Sequence, residues 1–200
     1  MDCAPVSEPV HTTAIRSLKI VIAGGFGVGK TTFVGAVSQV QPLRMEETIT
    51  QASAGVDDLR KTPGKTHTTV GIDFGRLHIS DDLVVYVFGT PGQIRFRAMW
   101  KDLIEGALVV LVLVDTRNLD ASHDALSLLD EAGVPYAVAI NRFVGAPTYP
   151  AAEIRQALAL EDHVLLTACD ARDRRSSVKA LISVFEHLTS ADSAHWSLTP

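Results

Sequence analysis

The residues whose types and spacing most plainly name a chemistry are Gly24-Gly25-Phe26-Gly27-Val28-Gly29-Lys30-Thr31. They fit G-x-x-x-x-G-K-[ST], a loop whose backbone N–H groups cradle phosphate oxygens. Side chains at the bend would block that approach; glycine removes the Cβ and tolerates positive φ. Lys30 supplies an ammonium for the terminal phosphates and Thr31 a hydroxyl for Mg²⁺. Thr32 follows, and the helix that begins here adds the positive end of its dipole. A chance match to the four fixed positions arises roughly once in a hundred chains of this length. The flanks make chance a poorer explanation still. Leu18 to Ala23 is a short apolar run of strand type, and Thr32 to Val37 continues as a mostly apolar helix, so strand, loop and helix stand in the required order.

The elements that must hold this loop fit one domain. The chain has 200 residues, 46% hydrophobic and 20% charged, with a net charge of −5. That composition is globular, and the acidic balance argues against non-specific nucleic-acid binding. Cys3 and Cys169 give no disulfide framework and point to a reducing compartment, the cytoplasm. The longest apolar run, Ala107 to Val114, is too short to cross a bilayer. No secretory segment or lipidation motif is read at either end, so any recruitment to the inner membrane face is expected through a partner rather than by insertion.

Along the chain, residues 1–16 read as a flexible arm, 17–189 as the folded domain and 190–200 as a loose tail. The helix after the loop is expected to reach about Gln39. A long connection then runs from Pro42 to Thr68, with a short helix expected within Met45 to Leu59 and a basic turn at Arg60 to Lys65. Connections of this length are usually functional or disordered, and directly after a phosphate-binding helix a functional lid over the ligand is expected. Val70 to Ile79 and Leu83 to Phe88 read as a hairpin around Asp81-Asp82. Gly89-Thr90-Pro91-Gly92 leads to a helix over Phe96 to Ile104. Ala107 to Val114 is the most continuous apolar run and hence a central strand. Helices are expected over Ala121 to Ala132 and Ala151 to Leu160, strands over Tyr136 to Ile140 and Val164 to Thr167, and a final helix with the stripe Val178, Leu181, Ile182, Phe185 and Leu188. Alternating strands and helices predict an α/β fold in three layers, a six-stranded, mostly parallel sheet with one antiparallel strand. Ligand loops then leave the carboxyl ends of the strands.

Two further stretches, Thr69-Val70-Gly71-Ile72-Asp73-Phe74 and Gly89-Thr90-Pro91-Gly92-Gln93-Ile94-Arg95-Phe96, resemble the switch regions of Ras-like small GTPases. The resemblance covers about Leu18 to Leu188. It is strongest to bacterial small G proteins, the CvnD-type GTPases of actinobacterial conservon operons, and more distantly to gliding-motility MglA GTPases. Gly55 to Gly75, the Thr-Pro-Gly-Gln loop and Asp170-Ala171-Arg172-Asp173 carry the closest match. The resemblance implies GTP or GDP bound with Mg²⁺, slow hydrolysis, and two loops that report nucleotide state to partners. It implies Thr69 as a Mg²⁺ ligand, with Thr66 or Thr68 as alternatives, Gln93 orienting the attacking water beside Lys30, and the Gly92 N–H sensing the γ-phosphate. Base recognition falls to Asn141, Arg142 and the backbone of Thr167-Ala168-Cys169. Implied partners are a roadblock-type protein, as activator or platform, and a sensor-kinase-like membrane protein.

The chain departs from that pattern in three places. The connection from Thr31 to Thr69 is about twenty residues longer than in Ras-like relatives. Gly89 stands where an aspartate usually supports the Mg²⁺ shell, with Asp73 or Asp115 as candidate substitutes. Val144 stands where an aspartate usually accepts the N1 and N2 donors of guanine. Arg95, Arg97, Arg117 and Arg142 surround the site without one being marked as an arginine finger. Met99-Trp100 is open between a partner contact and core packing. Gly89 and Val144 also motivate an alternative, a nucleotide-binding adaptor with little or no hydrolysis or with relaxed guanine/adenine selectivity. An adenine-nucleotide kinase fits less well, because no acceptor lid with paired arginines is visible.

Overall fold

The computed structural model describes residues 16–41, 46–48, 67–69, 72–92 and 98–195, with the backbone alone for 46–48, 67–69, 98 and 191–195. Its elements are β1 (Arg16–Ala23), α1 (Lys30–Val37), β2 (Glu46–Thr48), β3 (His67–Thr69), β4 (Asp73–Ser80), β5 (Leu83–Gly89) and α2 (Ala98–Ile104). There follow β6 (Val109–Val114), a 3-10 turn (Leu119–Ser122), α3 (His123–Ala132), β7 (Tyr136–Asn141), α4 (Ala151–Ala157), β8 (Leu166–Cys169) and α5 (Arg174–His195). The main sheet has six strands in the order β4-β5-β1-β6-β7-β8. Every neighbouring pair is parallel except β4 with β5. The expected three-layer, mostly parallel architecture is therefore the observed one.

Strand period explains the layering. Side chains alternate across a strand, so a sheet covered on both faces must be apolar on both. All six residues of β6 are buried. Ile20 and Ile22 of β1 with Leu111 and Leu113 of β6 point to the face covered by Phe33, Val34 and Val37 of α1 and Leu181 and Val184 of α5. Val21, Ala23, Val110, Val112 and Val114 point to the other, under Trp100, Leu103, Leu129 and Ile154. No described helix is long and apolar enough to cross a membrane.

Strand direction fixes where a site can form. The parallel strands end together at Ala23, Gly89, Val114, Asn141 and Cys169. Antiparallel β4 instead begins at that edge, in register Asp73 to Gly89. One acidic side chain is thereby brought to the ligand-facing edge by strand polarity alone.

Several element boundaries differ from the sequence reading. Glu46–Thr48 pairs antiparallel with His67–Thr69 and is extended; β-branched threonines on both strands favour that backbone, and the rest of the stretch within which a short helix was expected lies outside the described residues. The final helix continues to His195, beyond the point at which a loose tail was expected. Strand β8 starts at Leu166 rather than Val164. Val164 is 2% exposed but sits in a turn, its N–H donating to Glu161 O at 3.0 Å. An apolar anchor in a turn reads in sequence like the first residue of a strand. The lid residues 49–66, Gln93, Arg95, Arg97 and the arm residues 1–15 lie outside the described residues, as does the side chain of Thr69.

Candidate nucleotide-binding site

The loop between β1 and α1 has the shape its sequence requires. Gly24 adopts φ +131° and Gly29 φ +104°, in the region that only glycine enters freely. A Cβ on Gly24 would collide with the Leu113 carbonyl, and one on Gly29 would lie 2.5 Å from Asn141 Nδ2. Lys30 is 7% exposed, and its ammonium reaches back to donate to Gly24 O at 2.9 Å and Gly25 O at 2.7 Å. That bracket holds a cation across the mouth of the loop. Helix α1 has no acidic residue in its first turn and no side-chain cap on Gly29. Its leading N–H groups and dipole are therefore not quenched from within the helix, as anion binding requires.

Of the two carboxylates open as substitutes for the one missing at Gly89, the structure brings Asp73 to the loop. Asp73 is 1% exposed, and Thr31 Oγ1 donates to its Oδ2 at 2.7 Å. A Cβ built on Gly89 would lie 3.0 Å from both Asp73 Cβ and Asp73 Oδ2. The Asp73 carboxylate thus occupies the space that a side chain at 89 would enter. Asp115 is engaged elsewhere, bound by Arg117 through Nε at 3.0 Å and Nη2 at 2.6 Å. Hydroxyl plus carboxylate is an all-oxygen donor set of the kind a hard divalent cation takes. The Thr90 hydroxyl, next to Gly89, is a further buried oxygen and has no hydrogen-bond partner among the described residues. These donors fit Mg²⁺.

The loop after β5 rests on the P-loop. A Cβ on Gly92 would meet Lys30 Nζ at 2.9 Å and Phe26 Cα at 3.1 Å, so glycine is what permits this approach. Trp100 Nε1 donates to Pro91 O at 3.2 Å, and the ring is 7% exposed. Trp100 is therefore a core side chain that ties the loop to α2, whereas Met99 is 36% exposed.

The end of β7, the P-loop and the segment after β8 are joined through one side chain. Asn141, 4% exposed, donates from Nδ2 to Val28 O at 2.8 Å and accepts at Oδ1 from Ala171 N–H at 2.9 Å. Its amide clamps the P-loop to the segment after β8, and the second hydrogen on Nδ2 is not used by either bond. Asn141→Ala would leave a carbonyl and an N–H buried without partners, at about 1–3 kcal/mol each. A fall in unfolding free energy of about 2–6 kcal/mol is expected in denaturant titration; a loss under about 0.5 kcal/mol, the range of neutral surface changes, would contradict the clamp.

Thr167, Ala168 and Cys169 lie in β8 itself, in register with Ala139, Ile140 and Asn141. The loop that leaves this strand begins at Asp170. Arg142 is exposed, and its N–H donates to Cys169 O at 2.8 Å. Val144 is 85% exposed. The Arg117 guanidinium lies 3.9 Å from the centre of the Phe143 ring. Cys169 is 1% exposed; burial first, then the Asp170 charge, pushes its thiol up to about 12. A group raised so far carries almost no thiolate at neutral pH. Iodoacetamide at pH 8 is expected to leave Cys169 unmodified in the native protein and to label it after unfolding, as read by peptide mass; native labelling would contradict this burial.

A sheet of this strand order, with a glycine loop and buried lysine at the end of its β1, defines a P-loop nucleotide-binding protein. The chain belongs to the family described as "Conserved hypothetical ATP binding protein", which matches residues 22–191. An uncharacterized protein of Methanocaldococcus jannaschii is 33% identical over 127 residues, covering 62% of this chain and 70% of that one. Among solved structures, the FeoB G-domain from Methanococcus jannaschii superimposes with a TM-score of 0.57 at 17% identity, covering 88% of this chain and 99% of that one. At that identity the likeness is one of fold.

Proposed function

We propose that this protein is a small GTP-binding switch that holds GTP or GDP with Mg²⁺ and hydrolyses GTP slowly. The observation that carries the reading is the Thr31–Asp73 pair at the head of α1, facing Gly89. A strand polarity that returns a carboxylate to this edge, where Gly89 lacks one, supports a metal-assisted nucleotide site. Mg²⁺ would be held by Thr31, with Asp73 beside it and Thr69 joining when a γ-phosphate is present; bound there, it would neutralise charge on the phosphates. Lys30 and the loop amides position the phosphates, Gly92 senses the γ-phosphate, and Gln93 aligns water. No general base is needed, so intrinsic turnover on the order of 10⁻⁴ to 10⁻² s⁻¹ is expected.

Residues 17–189 act as the G domain of this switch, and the loops after β5 and around Thr69 report nucleotide state. The likeness to CvnD-type conservon GTPases makes a roadblock-type protein and a sensor-kinase-like membrane protein the expected partners. On that likeness the site of action is the cytoplasm, at the membrane's inner face when a partner recruits it. Single-turnover phosphate release from GTP tests the reading: slow release that requires Mg²⁺ supports it. Release no faster than buffer, with nucleotide still bound, would move the function to the alternative, a nucleotide-binding adaptor. The exposed Val144 and the family's description as ATP binding favour a second variant of that alternative, relaxed guanine/adenine selectivity.

A further inference from the structure

If the site reads guanine, some acceptor must replace the one Val144 cannot supply. Guanine presents two adjacent donors on its Watson–Crick edge, N1–H and the 2-amino N–H. A carboxylate takes such a fork with both oxygens, as it takes a guanidinium. Among the described residues, two carboxylates at the sheet's carboxyl edge already hold a guanidinium fork, Asp115 with Arg117 and Asp170 with Arg172.

The two forks are not equivalent. Arg117 is fixed by Asp115 on one side and stacks on Phe143 at 3.9 Å on the other, and the pair's side chains are 33% and 13% exposed. Asp170 lies at the mouth of the loop after β8, and its pair is open, Arg172 being 58% and Asp170 32% exposed. Arg172 Nε donates to Asp170 Oδ1 at 2.9 Å and Nη2 to Oδ2 at 2.7 Å. The backbone N–H of Arg172 also donates to Oδ1, at 3.0 Å, which fixes the carboxylate's direction independently of the guanidinium. Asp170 is flanked by groups that face the nucleotide end of the fold. Ala171 N–H is bound to Asn141, which is bound to Val28 of the P-loop, and Arg142 N–H is bound to Cys169 O. Asp170 therefore sits between two residues, Cys169 and Ala171, that are hydrogen-bonded to the end of β7 and through Asn141 to the P-loop.

We propose that Asp170 is the residue that reads the base, its carboxylate exchanging the Arg172 fork for the N1–H and 2-amino donors of guanine when nucleotide binds. This rests on the reading of the site as a guanine-nucleotide site and adds the specificity determinant. The exchange is cheap, because an exposed ion pair holds its partners only weakly. In the absence of nucleotide, hydrogen bonds from Arg172 hold the Asp170 carboxyl down at about 2, and an aspartate without that fork is still ionised at neutral pH. Adenine, with an acceptor at N1, would set a lone pair against the carboxylate. A site built on paired hydrogen bonds discriminates strongly against a ligand that cannot make them.

The test is displacement of a fluorescent guanine nucleotide from the full chain by GDP, XDP and ADP. Xanthine keeps N1–H but carries an acceptor at position 2, which an amide's N–H₂ can satisfy. Asp170→Asn is therefore expected to weaken GDP about tenfold or more and to strengthen XDP by a similar factor. Asp115→Asn should leave the GDP-to-XDP ratio as in the wild type. Arg172→Ala, which removes the competing fork, should tighten GDP about two- to fivefold, a gain that misfolding cannot mimic. If the wild type prefers guanine while Asp170→Asn keeps the same GDP-to-XDP ratio, or Asp115→Asn shows the switch instead, the assignment to Asp170 is overturned and the guanine reading stands. If the wild type itself binds ADP as well as GDP, both fall.

Discussion

Asp73→Gly is expected to cost about 10- to 100-fold in Mg²⁺-dependent GTP affinity, and moving the carboxylate to position 89 is expected to restore much of it. The geometry makes the swap a sharp test. Asp73 and Gly89 are register partners on an antiparallel pair. Gly89→Asp alone would force a Cβ to 3.0 Å from both Asp73 Cβ and Oδ2 and to 3.4 Å from Val34 Cγ2, placing two carboxylates in one buried space. That single variant should lose about 3 kcal/mol of stability, the cost of an uncompensated buried charge. In the double variant Asp73→Gly/Gly89→Asp the clash is gone and one carboxylate again faces Thr31. Stability and Mg²⁺ dependence should both recover, a non-additivity that two independent sites would not show. Retention of full Mg²⁺-dependent affinity by Asp73→Gly would remove Asp73 from the metal shell.

The second large effect is that of Lys30→Ala, expected to weaken GTP about 10²- to 10³-fold in equilibrium binding, because truncating one partner of a buried, hydrogen-bonded charge pair costs several kcal/mol. The ammonium is 7% exposed and aimed across the loop by the Gly24 and Gly25 carbonyls. Lys30→Arg should rescue little, since a planar fork cannot occupy the space of a compact ammonium against two carbonyls. Affinity within threefold of the wild type for Lys30→Ala would mean that phosphates are not held here.

Much of this was legible in the residues. The P-loop spacing, the continuous apolar run of β6 and the antiparallel entry of β4 each have a local physical cause that sequence displays. Asp73 and Asp115 were equally good candidates in one dimension, because register decides which strand-end carboxylate meets Thr31, and register is a property of strand pairs. Asn141 was recognisable, yet the clamp it makes between Val28 and Ala171 was not. That clamp depends on where Val28 and Ala171 lie relative to the end of β7, which is a property of the folded chain. Strand β8 runs from Leu166 to Cys169, later than its sequence suggests, because Val164 is a buried anchor in a turn and not a strand residue. Phe143 and Arg117 became a stacked pair only once the loops after β6 and β7 were side by side.

The measurement that bears most directly on guanine-nucleotide binding is displacement of fluorescent GDP from the wild-type protein by GTP, GDP, ATP and ADP, each with and without Mg²⁺. Displacement by guanine nucleotides alone, with GTP tightened by Mg²⁺, is the expected result. Equal displacement by adenine nucleotides, or affinities indifferent to Mg²⁺, would contradict it.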